Sequence, residues 1–142
     1  MRVRIKKIDP NAVIPSYAHD TDAGMDLTAV TRRYDTDLGC YIYGTGLAVE
    51  IPEGYVGLLF PRSSVRKYNL SLTNCVGVVD AGYRGEVMFT YRIQHFGKGG
   101  TYMPGDKIGQ LIIMPYPHIE FEEVEELSNS ERGEGGHGST GN

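Results

Sequence analysis

The chain of 142 residues has no tryptophan and only two cysteines, Cys40 and Cys75. They form no C-x-x-C pair, and neither lies near a histidine at zinc-ligand spacing. A zinc site is therefore excluded, and both are expected to be reduced, buried, small residues. No apolar run reaches signal or membrane-spanning length, so a cytoplasmic location is expected, or a host's cytoplasm if the chain is viral. Cations are scarce: 14 Lys and Arg stand against 18 Asp and Glu, a formal net charge of −4. That argues against a protein whose main task is holding a nucleic-acid backbone, but it leaves room for one local basic pocket. The P-loop pattern G-x-x-x-x-G-K-[ST] is absent. Gly133-x-Gly135-x-x-Gly138 fits the dinucleotide pattern G-x-G-x-x-G. That pattern needs a strand before it and a helix after it. Only four residues follow Gly138 here, too few for the helix.

What is present is punctuation and rings: 19 glycines, seven prolines and ten tyrosines. Helical periodicity is nearly absent and there is no internal repeat. Strands are predicted over Val3–Ile8, Met25–Val30, Tyr41–Tyr43, Leu47–Ile51, Tyr55–Phe60, Val76–Val79, Glu86–Ile93 and Ile108–Met114. Pro61–Tyr68 is the one short helix. The acidic stretch Glu120–Leu127 reads as a solvated edge strand guarded by its charges. Many short strands between turn residues predict an all-β barrel or jelly roll. The boundaries expected are a β-barrel domain over 1–127 and a flexible Gly-rich tail over 128–142.

Five clusters hold polar residues in unusual company. In Ala23-Gly24-Met25-Asp26-Leu27 the glycine permits close backbone approach, and an aspartate stands at an apolar strand start, where it commonly caps a turn. Pro61-Arg62-Ser63-Ser64 is either an anion site or an ordinary helix cap. Asn74 to Glu86 is a strand–turn–strand hairpin. Its Asn74 can donate to and accept from a base edge, and Tyr83 offers a flat face to a sugar. Asp80 ends an apolar run, where desolvation would make it a better base; the alternative is a plain turn aspartate. Gln110 is a lone amide in an apolar strand, bonded either to backbone or to a ligand. Last comes Arg132, followed by five glycines, Ser139 and Thr140. Such a tail cannot fold alone, yet its N–H groups, hydroxyls and guanidinium suit a polyphosphate.

In this order, from about Ala23 to Gly141, the clusters resemble the five motifs of the trimeric all-β dUTPase family. The resemblance implies a jelly-roll-like homotrimer with one short helix, whose active sites are shared between chains. It also implies Mg²⁺-assisted hydrolysis of dUTP to dUMP and pyrophosphate, which keeps uracil out of DNA and supplies dUMP for dTMP synthesis. By motif, Asp80 would be the general base that orients water at the α-phosphorus. Asn74 and the hairpin backbone, Val79 included, would read uracil, and Tyr83 would pack on deoxyribose. Arg62, Ser63, the Ser64 backbone and Gln110 would hold phosphates. Arg132 would clamp the γ-phosphate, while Gly138, Ser139 and Thr140 wrap the chain. Asp26 would support Mg²⁺ through water.

There are departures from the family pattern. His137 stands where phenylalanine is usual, leaving a weaker stack on uracil and an added titratable charge. Ser64 stands at a common glycine, Met25 at a common tyrosine and Gly109 at a common alanine. Two other readings are possible. A dCTP deaminase relative would lack the arginine-headed tail, and a catalytically idle dUTP-binding module would have lost one of Asp80, Tyr83, Gln110 or Arg132. All four are present.

Overall fold

The computed structural model describes residues 1–94 and 99–136. Ten strands follow in chain order: β1 Arg4–Lys7, β2 Met25–Thr28, β3 Thr31–Asp35, β4 Cys40–Gly44, β5 Leu47–Glu50, β6 Tyr55–Phe60, β7 Leu70–Leu72, β8 Gly77–Val79, β9 Met88–Ile93 and β10 Lys107–Pro115. They form a four-stranded sheet β2-β10-β6-β8, a second sheet β3-β4-β9-β7 and a two-stranded ribbon β1-β5. Every pairing within these sheets is antiparallel. The fold is all-β. Among the described residues, no helix is long and apolar enough to cross a membrane.

Alternation builds the core. In β5, Leu47 and Val49 are buried while Ala48 and Glu50 are less so, and β9 buries Phe89 and Tyr91. These side chains, with Leu27, Leu59, Ile108 and Leu111, join both large sheets in one cluster. Each large apolar side chain there contributes about 1.5–3 kcal/mol of burial. Without tryptophan, tyrosines fill the widest gap. Tyr43, Tyr91 and Tyr102 are each at most 1% exposed and pack edge-to-face, with ring centroids 5.5–6.0 Å apart. Burial pushes the Tyr43 phenol up to about 12 and also raises Tyr91, so the ring cluster is neutral at ordinary pH.

Several expectations are corrected. The helix expected over Pro61–Tyr68 is a 3₁₀ turn over Ser63–Lys67, with Val65 N–H donating to Arg62 O and Tyr68 N–H to Val65 O, both at 2.9 Å. β3 and β7 were not read from sequence. β3 is an edge strand with a mostly exposed Thr-Arg-Arg-Tyr-Asp face, and β7 is only three residues long. No strand forms over 120–127, where Phe121 is 96% exposed. Charge alternation alone does not make a strand; a partner's ladder does. Cys40 is buried as expected, but Cys75 is exposed.

β10 carries a bulge between its partners Lys107 and Gly109, which breaks register with β2. The Tyr91 hydroxyl donates to the carbonyl of Ile108, the bulged residue, at 2.6 Å. Gly109 meets the family's missing methyl with a reason: a Cβ there would collide with the Phe89 ring and lie 3.0 Å from Phe60 O. Tyr91→Phe keeps the ring and removes the donor. It is expected to lower the unfolding free energy by about 1–3 kcal/mol, seen as a lower urea midpoint at unchanged slope.

Candidate functional site

Strand register assembles the first group of polar side chains. Gln110 on β10 lies directly opposite Asp26 on β2 and opposite Phe60 on β6. Opposed residues share a face, so the amide and carboxylate lie side by side. Beyond Phe60 the chain stays extended at Arg62, with φ −79° and ψ 154°, before the 3₁₀ turn begins. That course brings the Arg62 Nε to within 2.8 Å of Asp26 Oδ1. Lys107 Nζ meets Asp26 Oδ2 at 2.9 Å. Arg62 Nη1 donates to Ser64 Oγ at 3.4 Å, and Gln110 Nε2 to Pro61 O at 3.3 Å.

These residues border a depression of about 380 Å³, lined by Asp22, Gly24, Asp26, Arg62, Ser63 and Gln110 among others. Its walls are mainly polar, and Gly24 leaves room there for the Gln110 amide. A Cβ at that position would run into the Gln110 side-chain oxygen and lie 3.2 Å from Gln110 Cδ. Partly exposed ion pairs of this kind contribute at most about 1 kcal/mol to stability. Their consequence is orientation: Asp26 aims one guanidinium and one ammonium at the same rim.

Lys107 and Asp22 were not singled out in the sequence. Strict alternation puts Lys107 and Gln110 on opposite faces of a strand. The bulge restores both to the Asp26 side, and a bulge is invisible to residue counting.

The second group sits on the connection from β8 to β9; these strands pair in different sheets, so the strand–turn–strand hairpin expected over 74–86 is corrected to a crossover between the two sheets. Asp80 directly follows β8, and Tyr83 N–H donates to its carbonyl at 3.0 Å, closing a tight turn. The Tyr83 hydroxyl donates to Glu86 O at 2.9 Å, and the ring lies against Gly85, where a Cβ would come within 2.6 Å of Cζ. Glu86 is itself fixed, its Oε1 accepting from Gly46 N–H at 2.7 Å. Val79 is buried and pairs with Gly57 on β6. Asn74 is exposed and precedes Cys75, which adopts a left-handed φ of 61°. That strained turn is closed by Val76 N–H donating to Asn74 O at 2.6 Å. Asp80 is exposed within its own chain, so the expected desolvation of this carboxylate is not supplied there.

The two groups do not converge within one chain. Val79 pairs with Gly57 near the start of β6. Arg62 lies five residues further along the same extended path, roughly 17 Å away at 3.3 Å per residue. Asp80 and Tyr83 are therefore not brought to Asp26, Arg62, Ser63, Ser64 and Gln110; Asn74 precedes the opposite end of β8, where the antiparallel register runs toward Pro61 and Arg62 and where Cys75 and Pro61 border one shallow depression. Arg132 joins neither group: its Nε donates to Gly135 O at 2.9 Å in a local turn. His137, Gly138, Ser139 and Thr140 lie outside the described residues.

Fold and site define an all-β protein with a polar depression and, apart from it, a carboxylate and a phenol on the β8–β9 connection. The sequence matches the dUTPase family model over residues 10–141. Deoxyuridine 5'-triphosphate nucleotidohydrolases of Thermobifida fusca and Clostridium acetobutylicum are each 39% identical to it. Those matches cover 99% of this chain and 79% and 97% of theirs. Its fold is similar to that of Staphylococcus bacteriophage 80alpha dUTPase with dUPNHPP, at a TM-score of 0.83 and 32% identity over 99% of this chain and 98% of that one. It is also similar to a mutant dUTPase of S. aureus phage phi11 with a coordinated structural Mg(II) ion. There the TM-score is 0.76 at 28% identity, over 89% and 99% of the two chains. The chain belongs to the dUTPase family.

Gly85→Ala tests how Tyr83 is held. The added methyl is expected to displace the phenol ring from the turn while changing stability by less than about 1 kcal/mol, because the turn is at the surface. NMR of ¹³C-labelled tyrosine should show the Tyr83 resonance moved and those of buried Tyr43, Tyr91 and Tyr102 unmoved.

Proposed function

We propose that this chain hydrolyses dUTP to dUMP and pyrophosphate in the cytoplasm, at sites completed between copies in a homotrimer. The observation that carries this reading is the separation of the two polar groups along β6. A nucleotide that touches Asp80 and Tyr83 of one copy reaches its phosphate donors on another. The Gly-rich segment over 128–142, set apart from the 1–127 barrel, supplies the third component.

In this reading Asn74 and the backbone through Val79 read the uracil edge, and Tyr83 packs on deoxyribose and excludes a 2′-hydroxyl. Ser63, the Ser64 backbone, Gln110 and Arg62 hold phosphate oxygens, and Arg132 closes on the γ-phosphate. His137, Gly138, Ser139 and Thr140 complete the wrap. Asp80 accepts a proton from water as its oxygen bonds the α-phosphorus and the bond to the leaving pyrophosphate breaks. Phosphoryl chemistry needs positioning and charge neutralisation more than covalent help, which matches a donor-rich site with one free carboxylate. Docking against a neighbour would also give Asp80 the desolvation its own chain lacks.

The residues fit Mg²⁺. Among the described residues no three His, Cys, Asp or Glu side chains converge on a point. The ion does not need a full cage, since it keeps its waters and binds phosphate oxygens with one or two carboxylates. Asp26, which retains free lone pairs beside its two cationic partners, would hold it through water, with Asp22 on the same depression. Bound there, the ion supplies neutralisation of the triphosphate.

Pyrophosphate release measured across dUTP, dTTP, dCTP and UTP is expected to be confined to dUTP. Equal rates on UTP and dUTP would remove the role given to Tyr83. Asp80→Asn is expected to lower kcat by about 10²–10⁴-fold while retaining dUTP binding.

Mixing tests the shared site. Asp80→Asn chains and Arg62→Gln chains, each nearly inactive, should recover roughly a quarter of wild-type activity at equal amounts. Random cyclic assembly places an intact Asp80 beside an intact Arg62 at about one junction in four. Continued inactivity of demonstrated heterotrimers would place the whole site within one chain.

A further inference from the structure

The guanidinium of Arg84 has no part in the reading above, yet it makes several contacts on the β8–β9 connection. Its Nη1 donates to Ala81 O at 2.6 Å and to Tyr83 O at 2.8 Å. One nitrogen carries two hydrogens, so a single planar end serves both carbonyls. Nη2 faces Glu50 Oε1 on β5 at 3.7 Å, and the other carboxylate oxygen of Glu50 faces Arg4 Nη1 at 3.6 Å. Arg4 lies directly opposite Glu50 in the β1–β5 ladder. The guanidinium is thus staked to a two-stranded ribbon and reaches over to the turn.

The turn needs such help. Between the end of β8 at Val79 and the start of β9 at Met88, Asp80 to Tyr83 is closed by one backbone hydrogen bond, Tyr83 N–H to Asp80 O. The carbonyls of Ala81 and Tyr83 alternate with the two residues that matter, Asp80 and Tyr83. Fixing those carbonyls fixes the 81–82 and 83–84 peptide planes, the second of them directly following Tyr83 and the first one residue beyond Asp80. A lysine offers a point charge on a flexible stem and cannot reproduce the planar fork together with the Glu50 contact.

We propose that Arg84 is a positioning residue that holds Asp80 and Tyr83 in one mutual geometry. It thereby sets both turnover and discrimination between deoxyribose and ribose. The inference rests on the roles given to Asp80 and Tyr83 above. Arg84 is exposed, with its side chain 56% accessible, so replacing it removes no core contact.

The test has one readout independent of catalysis. Amide hydrogen exchange at Tyr83 in the trimer reports the turn directly. In Arg84→Gln it is expected to speed by about tenfold, the effect of losing two weak net hydrogen bonds, while thermal unfolding is unchanged. Steady-state kinetics on dUTP should show kcat reduced by about tenfold with KM changed far less, and the UTP-to-dUTP rate ratio raised. Arg84→Lys should recover little of either. Arg84→Ala should regain part of its kcat when free guanidinium is added at low, non-denaturing concentration. Unchanged Tyr83 exchange in Arg84→Gln overturns the proposal whatever the activity. So does a normal kcat with a normal sugar preference. A wild-type protein that fails to hydrolyse dUTP would instead defeat the functional reading, and the exchange result would still decide whether Arg84 fixes the turn.

Discussion

The register of β10 against its two neighbours is the constraint on which the polar depression depends. Pairing with β2 puts Gln110 beside Asp26, and pairing with β6 points the chain after Phe60 toward both. One inserted residue then does three things. It turns Lys107 to the Asp26 side, frees a carbonyl that the Tyr91 hydroxyl meets, and brings Gly109 under the Phe89 ring. The core tyrosine and the surface lysine are consequences of the same bulge. A substitution that removed the bulge would therefore disturb packing and site together.

The same strand pairing keeps Asp80 and Tyr83, on the β8–β9 connection, apart from the depression. β6 is six residues long and rigidly laddered on both sides, by β10 and β8. Groups fixed at its two ends cannot close on one small molecule by loop motion. Under the proposed reading, oligomerisation is what turns two incomplete half-sites into a site. Each chain would then give one half to a neighbour on either side. The cost is that no single chain is active. The gain is a rigid separation, since geometry at a junction of packed barrels does not depend on flexible loops.

Most of the sheet architecture was legible because alternation and glycine or proline punctuation are local. Leu47–Ile51 and Tyr55–Phe60 were read nearly to the residue. β3 was missed because an edge strand shows no apolar face, and β7 because three residues carry no period. The stretch over 120–127 was assigned a strand from its own pattern, although strand formation belongs to a pair. Within the depression, Asp26, Arg62, Ser63 and Gln110 were found through their motifs. Lys107 was not, because its position depends on a bulge. Asp22 was not, because its place on the rim is set by the fold around it. Arg84 lay inside a quoted motif, but its role depends on Glu50, 34 positions earlier, which no local pattern relates to it.

Charge explains why, under the proposed reading, the depression would be only part of a triphosphate site. The lining Arg62 and the adjacent Lys107 are offset by Asp26 and Asp22, leaving little excess positive charge. Neutral donors such as Ser63 and Gln110 select a phosphate's geometry but do not neutralise its charge. A triphosphate carries several negative charges, and leaving them uncompensated in a half-closed cleft is costly. Further positive charge must come from outside the depression. Arg132 and a hydrated Mg²⁺ are the sources the proposed reading offers.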